Sequence, residues 1–332
     1  MRRAAKIALG CLFAPIGLLV VGLIAFTGLR AAGVPDPDVG ADRIEQPLPD
    51  VPRTVLERAP AAPDAAPAEI ADGLRVELDL VEGMFRIEPT DGEEIEVEAE
   101  YDRATYRLER DYGLDGDTPV FRLKFASKLH WLRRLAQDGS FDDDDMGDNE
   151  IIVYLPRGVP IDLRVKISRS ESELVLDGLT LTNLVTDLGM GTYSLETRTA
   201  NPVVMRSARF ELGMGEFSLD GLSYLRAREI EVASGMGEVR IDMGTSLAVD
   251  TILSTRMRMG ELSLRLPDDA LYDRASDFTA VLGEIDDSGL GPQRVEDPEN
   301  ARHLTVKGSV LMGELRIDDF RARGFDEPDD LR

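Results

Sequence analysis

The chain has little of the chemistry on which most catalytic and metal sites depend. Its 332 residues include one cysteine, two histidines and one tryptophan. A single cysteine excludes an internal disulfide framework and any metal site built from several cysteines. Two histidines, His130 and His303, leave little room for histidine-based metal or triad chemistry. The sequence therefore predicts no enzyme, no catalytic residues, no bound metal and no cofactor.

Basic side chains are also scarce. The chain has 38 Lys and Arg against 63 Asp and Glu, a formal net charge of −25. Nucleic-acid affinity rests on Lys and Arg that neutralise phosphates, so this surface repels DNA and RNA. Nucleic acid is excluded as a partner.

Charge is absent from residues 7–29, an apolar stretch of 23 residues. A helix of that length spans roughly 34 Å, enough for a hydrocarbon core of about 30 Å. Residues 1–6 carry three basic side chains, whereas only Arg30 follows the stretch, so residues 1–6 are predicted to be a cytoplasmic stub. The pattern predicts a single-pass anchor in the bacterial inner (cytoplasmic) membrane, with everything after it extracytoplasmic, in the periplasm. A cleaved signal peptide and lipidation at Cys11 are the alternatives.

Residues 30–72 are rich in proline and alanine and have no apolar period. Residues 34–71 hold eight of the chain's 18 prolines. Such a composition cannot bury a core, so the segment is predicted to be a semi-extended linker.

From Leu74 onward, apolar and polar residues alternate, which is typical of half-buried strands. Residues 73–150 are predicted to be an N-terminal β region with a helical insertion at 127–137. The insertion is basic and amphipathic, and it either plugs one end of the sheet or contacts a membrane or an acidic partner. The acidic run 141–150 lacks the ligand spacing of a calcium loop and is interpreted as a solvated loop, with adventitious cation binding as the alternative.

Residues 151–320 are self-similar, with a period near 23 residues. Copies such as ELGMGEFSLDG (211–221) and ASGMGEVRIDM (233–243) share one glycine, and SRSESELVLDG (168–178) is a degenerate first copy. Two short strands per unit favour an all-β solenoid, a single-stranded β-helix whose units stack in register. Residues 321–332 are predicted to be an acidic tail. The shared glycines, assigned to tight corners, are Gly191, Gly215, Gly237, Gly260, Gly283 and Gly313.

Each glycine is preceded by a methionine or leucine and usually followed by a glutamate. We interpret the first stripe as a ladder that fills the inside of a narrow corner, with a ligand-binding or oxidation-sensing groove as the alternative. The second stripe is interpreted as corner carboxylates that accept backbone hydrogen bonds or pair with Arg240 or Arg316. Its member in the degenerate copy is Glu173. The alternative interpretation is a strip that binds cations or a basic partner. The apolar stripe is Met190, Met214, Met236, Met259, Leu282 and Met312, and the candidate acidic strip is Glu216, Glu238, Glu261, Glu284 and Glu314.

The segment YLPRGVPIDLRVKISRSESELVLDG (154–178), followed by the Gly-x-Gly-acid units, resembles a widespread bacterial family. It is similar to the "putative adhesin" domains of unknown function and to the extracytoplasmic domain of LiaF-type proteins that respond to cell-wall-active antibiotics. This resemblance covers roughly 151–320 and implies a right-handed β-helix of the toast-rack type. It carries over no catalytic residues.

These observations favour a non-enzymatic, membrane-anchored, adhesin-like scaffold that contacts the membrane and an envelope protein or glycan. A regulator or sensor of a LiaF-like envelope-stress system is the first alternative, and a carbohydrate-active β-helix enzyme is the second. The enzyme would need convergent carboxylates and aromatic sugar platforms, which nothing in the pattern singles out. The oligomeric state has no signature in the sequence.

Overall fold

The computed structural model describes residues 39–47, 73–128, 149–267, 269–272, 278–289, 295 and 301–319. Within these ranges the regular structure is strand, apart from one 3-10 turn at Leu222–Leu225. The all-β prediction is thus confirmed. The strands are β1 (Val39–Pro47), β2 (Leu74–Thr90), β3 (Glu94–Asp102), β4 (Tyr106–Asp115), β5 (Thr118–Ser127), β6 (Glu150–Pro156), β7 (Pro160–Val175), β8 (Thr180–Glu196), β9 (Met205–Asp220), β10 (Ala227–Asp242), β11 (Thr251–Leu266), β12 (Leu271–Tyr272), β13 (Phe278–Gly289) and β14 (His303–Asp319).

Seven long strands form the rungs of a parallel stack in the order β2, β7, β8, β9, β10, β11 and β14. Each has 16 or 17 residues and continues straight through its corner. Equivalent residues of the repeats lie opposite one another, as Gly215 does between Gly191 and Gly237. This is the predicted solenoid. The stack begins at β2, ahead of the predicted boundary at residue 151.

The core lies between the two arms of each rung. The alternating residues from Leu74 to Leu80 are buried, as are Phe217 and Leu219 after the corner of β9. Side chains also stack from rung to rung: the rings of Tyr193 and Phe217 lie parallel, with centroids 5.2 Å apart. The period-two pattern therefore identifies the buried face correctly on both sides of the corner.

The corner glycines allow neighbouring backbones to approach closely. Gly215 has φ 143°, and a Cβ added to it would lie 1.8 Å from the carbonyl oxygen of Gly191. Gly213, two residues earlier, would place a Cβ 2.4 Å from the carbonyl oxygen of Gly189. Both substituent positions point at the preceding rung, so neither can hold a side chain.

At the C-terminal end, the order of rungs in space departs from their order in the chain. β14 pairs with β11, and Gly313 lies opposite Gly260. β12 and β13 precede β14 in sequence but pair with its outer edge, where Gly283 lies opposite Gly313. Because all copies present the same corner, the register does not dictate which copy stacks on β11.

The other end of the stack is also built out of order. β5 covers the first half of β2 and β6 covers the second half, both in parallel, so together they make an outer rung interrupted between Ser127 and Glu150. β4 folds back on β5, and β3 pairs antiparallel with β6. Residues 39–47, inside the predicted linker, form β1 on the remaining edge of β3.

Several predicted features lie outside the described residues. They are the cytoplasmic stub and anchor (1–29), most of the helical insertion (129–137), most of the acidic run (141–148) and the tail from 320 onward. In the part of the chain that is described, no helix is long and apolar enough to cross a membrane.

The glycine corner leads to a stability prediction. We expect Gly215→Ala to destabilise the fold by at least about 2 kcal/mol, because the methyl group meets a backbone carbonyl and an alanine is strained at this φ. Urea unfolding followed by far-UV circular dichroism measures the change. Gly113→Ala is the matched control, since an added Cβ meets nothing within 4 Å there. Equal midpoints for the two variants would contradict the close-approach explanation.

Candidate interaction face at the corner

The exposed side of the corner carries two parallel columns, which we call the corner face. The sulfur column precedes the shared glycine and the acidic column follows it, and both continue in register onto β13 as Leu282 and Glu284. The sulfur column consists of Met190, Met214, Met236, Met259 and Met312. The acidic column consists of Glu216, Glu238, Glu261 and Glu314.

The methionines point outward, so the prediction of a ladder inside the corner is wrong. Each sulfur-column side chain is 39–44% exposed. On β9 the side chain of Leu212 is buried, those of Met214 and Glu216 are exposed, and that of Phe217 is buried again. The strict alternation is interrupted because Gly213 and Gly215 direct their substituent positions along the stack. The methionine between them is left on the outside.

A signal for this outward orientation exists in the sequence. On β8, β9 and β10 the methionine stands between two glycines, as in Gly213-Met214-Gly215. A residue flanked on both sides by backbone without side chains has no lateral neighbours to pack against on its own strand. The Gly-Met-Gly triplet therefore points to a projecting side chain rather than to core filler.

The glutamates have only local compensation for stacking next to one another. Carboxylates at the rung spacing of about 4.8 Å repel by about 0.9 kcal/mol even in bulk water. Glu238 forms an ion pair with Arg240, and Glu261 accepts a hydrogen bond from Ser263 at 3.5 Å. Arg316, the other predicted partner, pairs instead with Asp318 at 3.4 Å. The column thus keeps a concentrated negative charge.

Two details of the acidic column differ from the repeat alignment. In β7 the residue opposite Thr192 is Glu171, two positions before the expected Glu173. Glu173 lies farther along the rung and pairs with Arg86 at 3.4 Å. The serines of the degenerate copy place Ser170 in the glycine position, and this fixes the register.

The apolar part of the corner face widens toward the C-terminal end. The side chains of Val281 and Leu282 on β13 and of Leu311 on β14 are all more than half exposed. Leu282 continues the line of the sulfur column, and Val281 and Leu311 each stand one residue before it on their strands. Contiguous exposed apolar surface of this kind marks interaction sites more often than isolated residues do.

The carboxylates of the described ranges do not converge into a metal site. No group of three or more His, Cys, Asp or Glu in that part of the chain could hold a metal ion. The acidic column runs along the stack in a line, one carboxylate to a rung, and faces solvent. Such a line can attract a positively charged partner along its whole length.

A second polar cluster lies on the outside of the first three rungs. Asp162 accepts hydrogen bonds from Asn183 at 2.9 Å, Arg164 at 3.0 Å and Arg75 at 3.1 Å. Burial raises the pKa of Asp162, but these hydrogen bonds and the charge of Arg164 outweigh it, so the pKa lies below its usual value. Arg75 also binds Asp115 at 2.7 Å. These contacts hold β2, β7 and β8 together. The carboxylate oxygens of Asp162 are occupied by the hydrogen bonds that they accept.

The polar cluster around Asp162 leads to a pH-dependent prediction. Asp162→Asn should lower stability at pH 7 by about 1–3 kcal/mol, because the ionised partner of two arginines is lost. The folded pKa is depressed, so this stabilisation is present above the unfolded pKa near 3.9 and is lost as the pH falls through the folded pKa. Melting temperatures at pH 7 and pH 3 should therefore show a gap that narrows in acid. Asp117→Asn, at an exposed turn, is the control, and a gap independent of pH would count against the charge explanation.

Three comparisons place the chain among known proteins. Residues 64–202 match the family model described as the N-terminal domain of toast_rack, DUF2154. No curated protein gives a significant match. The match spans β2 to β8, so it begins and ends earlier than the region of internal repeats.

Solved structures also show likenesses at low identity. One is a "putative cell adhesion protein" from Clostridium sporogenes, with 10% identity and a TM-score of 0.39, aligned over 85% of this chain and 100% of the other. Another is a "putative adhesin" from Bacteroides fragilis, with 12% identity and a TM-score of 0.37, aligned over 86% of this chain and 100% of the other. Over residues 64–202 the chain is thus similar to the N-terminal domain of the toast-rack family, which agrees with the family resemblance that its repeats indicate.

Proposed function

We propose that this chain is a non-enzymatic scaffold of the bacterial envelope. Residues 7–29 anchor it in the cytoplasmic membrane, the linker holds the solenoid on the extracytoplasmic side, and the corner face binds a partner protein. The anchor and its orientation are inferred from the long uncharged stretch and the basic residues before it.

One observation carries the binding role: the same exposed pair, methionine beside glutamate, recurs in register on four consecutive rungs. From Met214 to Met312 the face extends for roughly 14 Å along the stack, at about 4.8 Å per rung. Methionine side chains are flexible and polarizable, so they adapt to differently shaped apolar partners. A line of this kind suits an extended or helical segment that lies along the stack.

The acidic column specifies the charge of that partner. Basic side chains would relieve the repulsion between neighbouring carboxylates, so a segment that alternates apolar and basic residues fits both columns. Such electrostatic complementarity mainly sets specificity and association rate, and it weakens with salt.

The distribution of carboxylates favours a scaffold over an enzyme. Glycoside hydrolysis needs two carboxyl groups that face each other across a substrate. The glutamates of the acidic column instead lie in a row and point the same way, and the carboxylate of Asp162 is held between two arginines.

Site-specific crosslinking in cells tests the partner. Met236 is replaced by photoreactive benzoylphenylalanine in the full chain, and the same replacement at Arg228, exposed at the start of β10, is the control. We expect a defined crosslinked protein from position 236 alone. The crosslink should weaken when Glu216→Gln, Glu238→Gln and Glu261→Gln are combined, because the complementary charge is removed. Identical bands from both positions, or indifference to the glutamates, would refute binding at the corner face.

Protease accessibility tests the anchor. In intact spheroplasts, externally added protease should cleave within the linker and release the solenoid, while the residues before the anchor stay protected. The fractionation control is carbonate extraction, which should leave the uncleaved chain in the membrane pellet. A chain that sediments with the membrane but is protected from external protease would reverse the proposed orientation, and a soluble mature form would indicate a cleaved signal peptide instead.

A further inference from the structure

The sulfur column is unusual because of where its methionines lie. Three other methionines of the solenoid, Met205, Met243 and Met257, are buried in the core, where a flexible apolar side chain serves as packing. The five column methionines face solvent instead, on consecutive rungs. Packing does not account for five identical exposed thioethers in a row.

The column lines up sulfur atoms at a spacing that suits a metal ion. Neighbouring rungs lie about 4.8 Å apart. Metal–sulfur bonds of about 2.3 Å, as at zinc–thiolate sites, put the two sulfurs of a linear two-coordinate site about 4.6 Å apart. Methionine has three rotatable side-chain bonds, so sulfurs of adjacent rungs can close this small difference without moving the backbone.

The chemistry of the donors selects the ion. Thioether sulfur is a soft ligand that prefers Cu(I), whereas Ca²⁺ and Mg²⁺ prefer oxygen. Among the described residues, the imidazole of His303 does not compete at the corner, because His303 begins β14, far along the strand from Met312.

The acidic column supplies the missing charge. Thioethers are neutral, so a monovalent ion bound by them keeps its positive charge. The carboxylates of Glu216, Glu238 and Glu261 follow two residues after Met214, Met236 and Met259 on the same strands. A cation at the sulfur column would offset their mutual repulsion.

We propose that the sulfur column binds a soft monovalent cation, Cu(I) or its closed-shell analogue Ag(I), through the thioether sulfurs of two neighbouring rungs. This site is independent of the proposed partner, since it needs only the folded chain. Binding is a simple ligation, with no change in the oxidation state of sulfur or metal.

Silver nitrate in chloride-free buffer is the probe, and methyl-labelled methionine in the full chain in detergent is the reporter. Of the 11 methionine methyl signals, those of the sulfur column should shift on titration with Ag(I), whereas those of buried Met205, Met243 and Met257 should not. An anaerobic titration with Cu(I) should move the same signals. Ca²⁺ should leave them in place, and equal shifts with Ca²⁺ would assign the binding to carboxylates and overturn the proposal.

Leucine variants separate sulfur ligation from surface shape. Met214→Leu, Met236→Leu and Met259→Leu combined keep the apolar volume and remove three adjacent sulfurs, and we expect the affinity for Ag(I) to fall at least about tenfold. Met84→Leu, at an exposed methionine outside the column, is the matched control and should bind as the natural chain does. If the triple variant fails to fold, Met236→Leu alone tests the central ligand. Wild-type affinity in a folded variant without these sulfurs would end the proposal.

Discussion

The close approach of neighbouring backbones at the corner constrains the rest of the solenoid. The substituent position of each corner glycine lies within about 2 Å of the carbonyl of the adjacent rung, so no rung can shift by one residue without placing a side chain there. This lock fixes the register of the long strands from β7 to β14. Every other stacked feature, including the paired rings of Tyr193 and Phe217 and the two columns of the corner face, is a consequence of that register.

A locked register also forces identical residues next to one another. For apolar side chains this is favourable, because like shapes stack into a continuous core. For charges it is unfavourable, and the rungs compensate locally: Arg240 follows Glu238 within one strand, and Asp162 gathers arginines from two strands. Along the acidic column few cationic side chains offset the repulsion between neighbouring carboxylates. Binding of a cation or a basic partner would therefore lower the electrostatic free energy of this surface.

The sequence reveals the fold better than it reveals the outer surface. Alternation and the repeat of about 23 residues predict strands, core and stacking, because these depend on local periodicity. The outward turn of Met214 depends on a positive φ at Gly215, which inverts the pattern for one residue and is invisible to a period-two argument. The repeat pattern misses the first rung: there Gly83 is followed by Met84 rather than an acid, although Gly83 occupies the same register position as the other corner residues. The position of β14 between β11 and β13 could not be predicted, because copies that share one register do not indicate which of them stacks on β11.

That last arrangement has a consequence for how the molecule is made. Since synthesis proceeds from the N-terminus, β11 emerges with an open edge and β13 emerges before the strand that it finally rests on. The copy that could cover β11 immediately has the same corner glycine as the copy that eventually does. The end of the solenoid therefore closes only after residue 319 has left the ribosome. Until then β11 either remains uncovered or pairs with β13, which β14 must later displace.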